Sequence, residues 1–184
     1  MPSASIPEFM RFTAPDALAL AAAIASARVK LAAAEHSRDA VAIVEQAADL
    51  GSMLTTAKQE HEALKLLRSY EQLAGSLTGE EPLAWYWNAL ATALQYCNNR
   101  EVAEHYFAKA VNTAQAGGWA RIEAMALHHW GRSLVEQGRL SEAESRIEKA
   151  LSIRERLGER QESSRNALLK IAQLRVAVSD RADP

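Results

Sequence analysis

With 184 residues and a formal net charge of −2, the chain can form one domain with a sizeable core or a short repeat array, and it has no global basic field to draw it to nucleic acid or an anionic bilayer. Hydrophobic residues make up 48% of it although aromatics are only 6%. Alanine, leucine and isoleucine supply the difference, and with 8 Gly and 5 Pro, mostly at segment edges, this is an all-α composition. The lone cysteine, Cys97, excludes an intramolecular disulfide framework and fits a reducing compartment, so a cytoplasmic location is expected.

Residues 1–14 are expected to be disordered. Pro15 and Asp16 suit the first turn of a helix over 15–35. Its apolar run, 17–27, is mostly alanine and too short to span a bilayer. Asp16 at the edge of the run, with only Arg11 before it, is a poor match to a secretory leader. The run is read as a buried, alanine-rich cover over the first repeat. At 40–78, Val41, Val44, Ala47, Leu50, Gly51 and Leu54 make one apolar stripe at helical period. A second helix carries Ala63, Leu66, Leu67 and Tyr70 and stops near Gly75-Ser76.

The segment 79–118 opens with Thr78 and Glu81 in a T-x-x-E capping pattern and Pro82 in the first turn. Leu83, Trp87, Leu90, Ala91 and Leu94 form its first stripe, Asn98-Asn99 its turn, and Val102, Ala103, Tyr106, Phe107 and Ala110 its second stripe. Gly117-Gly118 is a helix stop. The segment 119–158 repeats the plan: Ala124, Leu127, Trp130, Gly131 and Leu134, a turn at Gly138, an S-x-x-E cap at Ser141 and Glu144, then Ala143, Ile147, Ala150 and Leu151 before Gly158. A terminal helix over 160–178 carries Leu168, Ile171, Ala172 and Leu174, and 179–184 is a polar tail. No stretch alternates with period two, so no sheet is predicted.

These segments share one register. Gly51, Ala91 and Gly131 are 40 residues apart, as are Leu54, Leu94 and Leu134; Ala63, Ala103 and Ala143; and Leu67, Phe107 and Ile147. Small residues fall on small and large apolar on large. The pattern W-x-x-L-[GA]-x-x-L, followed by A-x-x-x-F-x-x-A, resembles the tetratricopeptide repeat. Trp87, Leu90, Ala91, Leu94, Ala103, Phe107 and Ala110 carry it in the second copy; Leu127, Trp130, Gly131, Leu134, Ala143, Ile147 and Ala150 carry it in the third. The first copy has Ala47, Leu50, Gly51, Leu54, Ala63 and Leu67, with Tyr70 in place of the last alanine. The resemblance implies an α-solenoid of stacked antiparallel helix pairs, about eight helices forming a single domain over 15–178. The copies are longer than the usual 34 residues and lack the family's usual proline near the repeat end. In their length they are similar to repeats of bacterial regulatory proteins and kinesin light chains.

Chemistry-bearing constellations are scarce. No Gly-rich phosphate loop, G-x-S-x-G elbow or H-E-x-x-H string occurs; His61-Glu62 begins the last, but Lys65 stands where its second histidine would be. Adjacent residues His128 and His129 diverge by about 100° on a helix and cannot chelate one ion together. Cys97 has no histidine near it in sequence, and Glu142, Glu144 and Glu148 read as a solvated face. No catalytic, cofactor-binding or metal-ligating residue is assigned and no cofactor is expected; the chain reads as non-enzymatic.

The binding face is expected on the first helix of each pair, at positions outside the stripe: Ser52, Thr55 and Thr56; Asn88, Thr92, Gln95 and Tyr96; Met125, His128, Arg132 and Glu136. Asparagine can hold an extended backbone through donor and acceptor together, and arginine can take a carboxylate. The resemblance implies a peptide or partner protein there. Trp85 and Trp119 are read as partly buried wedges between repeats. The leading expectation is thus a protein-interaction module that engages neither nucleic acid nor membrane. The alternatives are a self-associating structural unit, pairing copies as a homo-oligomer, and a ligand-sensing regulatory domain acting through a partner.

Overall fold

Two aspartates start the first two helices. Asp16 Oδ1 accepts from the backbone N–H of Leu18 and Ala19, both at 2.9 Å, and Asp39 Oδ1 accepts from Val41 and Ala42, both at 3.1 Å, which satisfies donors that a helix leaves open. The computed structural model describes residues 8–179; the expectations for 1–7 and 180–184 lie outside the described residues. Among the described residues there are nine helices and no strand: α1 (Ala17–Ser37), α2 (Ala40–Thr56), α3 (Glu60–Ser69), α4 (Glu71–Ser76), α5 (Glu81–Tyr96), α6 (Arg100–Gly117), α7 (Ala120–Glu136), α8 (Leu140–Leu157) and α9 (Gln161–Ser179). Eight are long, as expected. The ninth arises because the second helix of the first pair breaks at Tyr70 (φ −107°, ψ 4°) into α3 and the short α4.

The 40-residue register is built into the backbone as well as the side chains. Lys58, Asn98 and Gly138 hold the same turn position with φ of 61°, 61° and 75°. The residue after each donates back across the turn: Gln59 to Leu54, Asn99 to Leu94 and Arg139 to Leu134, at 2.9, 2.9 and 3.0 Å. Each of these carbonyls belongs to the large apolar residue that ends the stripe, so turn and stripe are locked in phase. Neither capping motif read from sequence forms. The residue preceding α5 is Glu80, and that preceding α8 is Arg139, each without a side-chain cap; Ser141 lies inside α8 and accepts from Arg175.

The chain forms two compact units, divided after Ile122 within α7. In the first, Phe12–Ile122, α2 packs on α1, α3 and α5, and α5 packs on α6 and α3. The first helix of a pair therefore touches both its own partner and the first helix of the next pair, which is the arrangement that lets stacked repeats share a core. Trp87 is fully buried there, edge-on to Tyr86 (5.1 Å, 82°) and stacked with Tyr106 (5.8 Å, 27°), with Lys109 Nζ 3.5 Å from its ring centroid.

The expectation of a buried α1 needs correction. Only Ala27, Leu31 and Ala34 are buried, while Leu18 is 85% and Val29 70% exposed. Alanines distributed around the whole helix leave it no single apolar stripe to turn inward. Counted as the full 21-residue helix instead of its apolar run, α1 is also long and apolar enough to cross a membrane by length and composition, a test that core helices and leader sequences near an N-terminus also pass.

The second unit comprises residues 8–11 and the chain from Glu123 onward, with α8 packed on α9. Its core joins Leu134 and Val135 of α7, Ala143 and Ile147 of α8, and Ala167 and Ile171 of α9 to Phe9. Disorder through residue 14 is thus overturned for this stretch. Phe9 is 6% exposed: its ring fills an apolar cleft, and the Arg11–Glu136 and Arg132–Phe9 carbonyl contacts add to what offsets the segment's lost entropy.

In the first and third pairs the close approach depends on a missing methyl group. A Cβ on Gly51 would lie 2.7–2.9 Å from three carbons of Leu67, and one on Gly131 would lie 2.4 Å from Ile147 Cγ1 and 3.0 Å from the Ala143 carbonyl. Overpacking costs roughly 1–3 kcal/mol and alanine's better helix propensity returns about 1 kcal/mol, so Gly131→Ala is expected to lower stability by up to about 2 kcal/mol in urea unfolding. The loss should be less than additive with Ile147→Ala; additive losses would mean that the two positions do not meet.

Candidate interaction face

The expected face lies on α2 and α5 in the first unit and on α7 in the second. On α2, Ser52 and Thr56 are half-buried and Thr55 is buried, its hydroxyl donating to the Gly51 carbonyl at 2.9 Å. On α5, Thr92 is half-buried and donates to the Asn88 carbonyl at 2.8 Å, while Asn88, Gln95 and Tyr96 are buried. Asn88 and Gln95 are each 1% exposed, and none of their amide atoms has a hydrogen-bond partner among the described residues. From sequence these residues are expected to line an open groove; Thr55, Asn88, Gln95 and Tyr96 are instead buried. Period fixes where a side chain points on its own helix; how near the next helix comes is set by the alanines beside it, Ala89 and Ala93, both buried.

On α7, Met125 is half-buried, and His128, Arg132 and Glu136 are buried. Their partners are mostly remote in sequence. Glu136 receives a two-pronged bond from Arg11, Nε to Oε1 at 2.9 Å and Nη2 to Oε2 at 3.0 Å. Arg132 Nε reaches the Phe9 carbonyl at 3.4 Å. His128 Nδ1 lies 3.2 Å from Ser164 Oγ. Ser164 and Ser163, in the first turn of α9, accept from Arg154 Nη1 at 2.6 and 2.8 Å.

The electrostatics follow from burial. Desolvation, then the nearby Arg154 and Arg132 charges, push the His128 pKa down to about 3. His129, whose ring centroid lies 6.2 Å from that of His128, is held well below its ordinary value by burial and by Arg132. Burial and the Arg160 charge also lower Arg154. Both histidines are therefore neutral around pH 7.

Several contacts were invisible in sequence. Phe9 and Arg11 lie in a stretch expected to be disordered; the signal available was the F-M-R-F cluster at 9–12. Cys97 does have a histidine beside it, with Sγ 3.7 Å from His61 Nδ1 across 36 residues. Trp85 and Trp119 are partly buried against Ala84, Ala114 and Ile122, and Trp85 Nε1 donates to Asp49 at 2.8 Å. No group of three or more His, Cys, Asp or Glu suited to holding a metal ion occurs among the described residues.

This is an all-α helical-repeat protein, an α-solenoid of antiparallel helix pairs with polar positions lining the first helix of each pair. Residues 124–157 match the family model of the tetratricopeptide repeat. The fold is similar to that of the crystal structure of BtubC (BKLC) from P. vanneervenii, with a TM-score of 0.69 at 21% identity, covering 88% of this chain and 68% of that one. No curated protein matches the sequence. The matched segment, with two more copies in the same register and the shared fold, supports the resemblance to tetratricopeptide repeats read from the sequence. Repeats of this family are protein-interaction and scaffold modules.

A histidine whose folded pKa lies below its unfolded value leaves the unfolded chain binding the extra proton, so stability declines as pH falls through that interval. For His128 the interval runs from 6.5 toward about 3, and His129 acts in the same direction. Glu71 titrates lower: burial alone would raise it, but hydrogen bonds from Tyr106 and Arg68 hold it below 4.5. Between pH 6.5 and 4.5 the melting temperature is therefore expected to fall in the native chain and to fall less in His128→Gln; parallel curves would exclude the histidine. For the α5 amides, an unmet buried polar group costs about 1–3 kcal/mol. The near-isosteric Gln95→Met is expected to raise stability by about 1 kcal/mol in urea unfolding, and a loss would show that the amide is satisfied.

Proposed function

We propose that this protein is a non-enzymatic, cytoplasmic protein-interaction module that takes a peptide segment of a partner on the first-helix face, with Arg132 and Glu136 of α7 as principal contacts. One observation supports the reading above all. The α7 side chains expected from sequence to meet a ligand are engaged with a piece of chain that belongs to no helix: Glu136 with the Arg11 guanidinium and Arg132 with the Phe9 carbonyl. A carboxylate for a basic side chain and a guanidinium for a backbone carbonyl are two devices by which a helix face can hold an irregular segment. Ser52, Thr55, Asn88, Thr92, Gln95, Tyr96, Met125 and His128 are the corresponding positions of α2, α5 and α7, all but Met125 polar.

A second reading, self-association as a homo-oligomer, is supported by α1. Its exposed Leu18 and Val29 and its many exposed alanines form an apolar face of the kind that pairs with a copy of itself. Light scattering over a concentration series tests it: a strict monomer ends that reading, and a dimer disrupted by Val29→Glu supports it.

For the leading reading, affinity capture from cell extract is expected to recover a partner with the native chain and with Lys149→Ala on the exposed side of α8. Recovery should fall at least about tenfold, a loss of roughly 1.4 kcal/mol, with Arg132→Ala. Equal recovery by all three proteins, each shown to be folded by circular dichroism, would remove α7 from the interface.

A further inference from the structure

Residues 8–11 are held against α7–α9 by the Phe9 and Arg11 side chains and by one backbone contact, from Arg132 Nε to the Phe9 carbonyl at 3.4 Å. The one backbone link within the segment is Arg11 N–H to the Glu8 carbonyl at 3.5 Å. Glu8 and Met10 both adopt left-handed backbone conformations, with φ of 59° and 48°. Non-glycine residues take such angles only when their surroundings impose them. Two contacts do so. Phe9 enters an apolar pocket made by Leu134, Val135, Ala143, Ile147, Ala167 and Ile171, with Met10 packed on its edge. Arg11 covers Glu136, whose side chain is 0% exposed. The next aromatic, Phe12, is 62% exposed, so the docking is selective for one of two neighbouring phenylalanines.

A buried carboxylate needs a cation close by, and the forked geometry here suits a guanidinium and not an ammonium. The Phe9 pocket, two residues upstream of the fork, needs an apolar ring. From this pairing we infer that the α7–α9 face is a binding site for aromatic-x-arginine segments, and that Phe9-Met10-Arg11 is its resident, intramolecular occupant. The inference rests on the interaction-face reading and deepens it. A partner carrying the same pattern enters only when the resident segment leaves. Departure is feasible because no helix and no ladder of backbone hydrogen bonds has to be unmade. The segment thus acts as a built-in competitor that sets the threshold for partner binding.

The test uses a fluorescein-labelled synthetic peptide of residues 8–14 titrated into full-length protein and read by fluorescence anisotropy. The native chain is expected to bind it weakly. Phe9→Ala/Arg11→Ala vacates the face and should bind at least about tenfold more tightly, and adding Glu136→Gln to that variant should cost at least about tenfold again. Arg11→Lys, which keeps the charge but not the fork, should fall between the native and the doubly substituted chain and serves if the double variant unfolds. Equal affinity of the native and vacated proteins overturns the proposal, as does binding indifferent to Glu136. A dimer that forms only when Phe9 and Arg11 are intact would overturn the intramolecular arrangement. If the labelled peptide never binds while Arg132→Ala still abolishes partner capture, the resident-segment proposal falls and the interaction face stands.

Discussion

The structure depends on how closely the two helices of a pair can approach. At Gly51 the space of a side chain is taken by Leu67, and at Gly131 by Ile147 and the Ala143 carbonyl. Ala91 fills the same place in the middle copy, where Phe107 is the buried counterpart of Leu67 and Ile147. A small residue on one helix admits a large one from the other, and the pair closes to the distance at which its remaining stripe can be buried. The features that repeat at 40 residues reproduce that contact. The left-handed turns at Lys58, Asn98 and Gly138 are one example, and the back-bonds to Leu54, Leu94 and Leu134 another.

Close approach also has a consequence for polar side chains. Between neighbouring helices this near, a polar residue beside the stripe is covered instead of left in solvent. Thr55 turns its hydroxyl back on its own helix, and Thr92, though half-buried, does the same. Asn88 and Gln95 are covered without finding a partner among the described residues. On α7 Ser133 Oγ and Trp130 Nε1 are likewise covered without a partner among the described residues, whereas the charged and titratable groups are answered. Glu136 has Arg11, Arg132 has the Phe9 carbonyl, and the histidines give up their protons. Arg154, on α8, has two serine hydroxyls. In the aromatic cluster around Trp87, Lys109 lies over the ring and Tyr106 is bonded to Glu71, while Trp87 Nε1 is covered without a partner among the described residues.

If the α7 face binds a partner as proposed, it is selective, because an incoming segment must restore each lost contact. On α7 that means a guanidinium for Glu136, a carbonyl for Arg132, and a ring for the pocket beside them. The chain's own residues 9–11 meet all three requirements. On the proposed reading, interaction surface and resident segment are two parts of one device; the exposed apolar length of α1 belongs to the other unit.

Sequence by itself determined the helical class, the three copies and their register, and the identity of the small residues that set helix spacing. Each of these rests on local period and residue size, which the order of residues encodes directly. It also singled out the polar positions of the first helices. Tertiary structure alone decided whether those positions are open or covered, because cover comes from elements distant in sequence: Ser164 upon His128 across 36 residues, and Arg11 upon Glu136 across 125. For the same reason the sequence places Phe9 in a disordered N-terminal stretch and reads α1 as a buried helix. A side chain's fate at a chain end is set by which cavity lies within reach, and an apolar helix is buried only on the side where another element meets it.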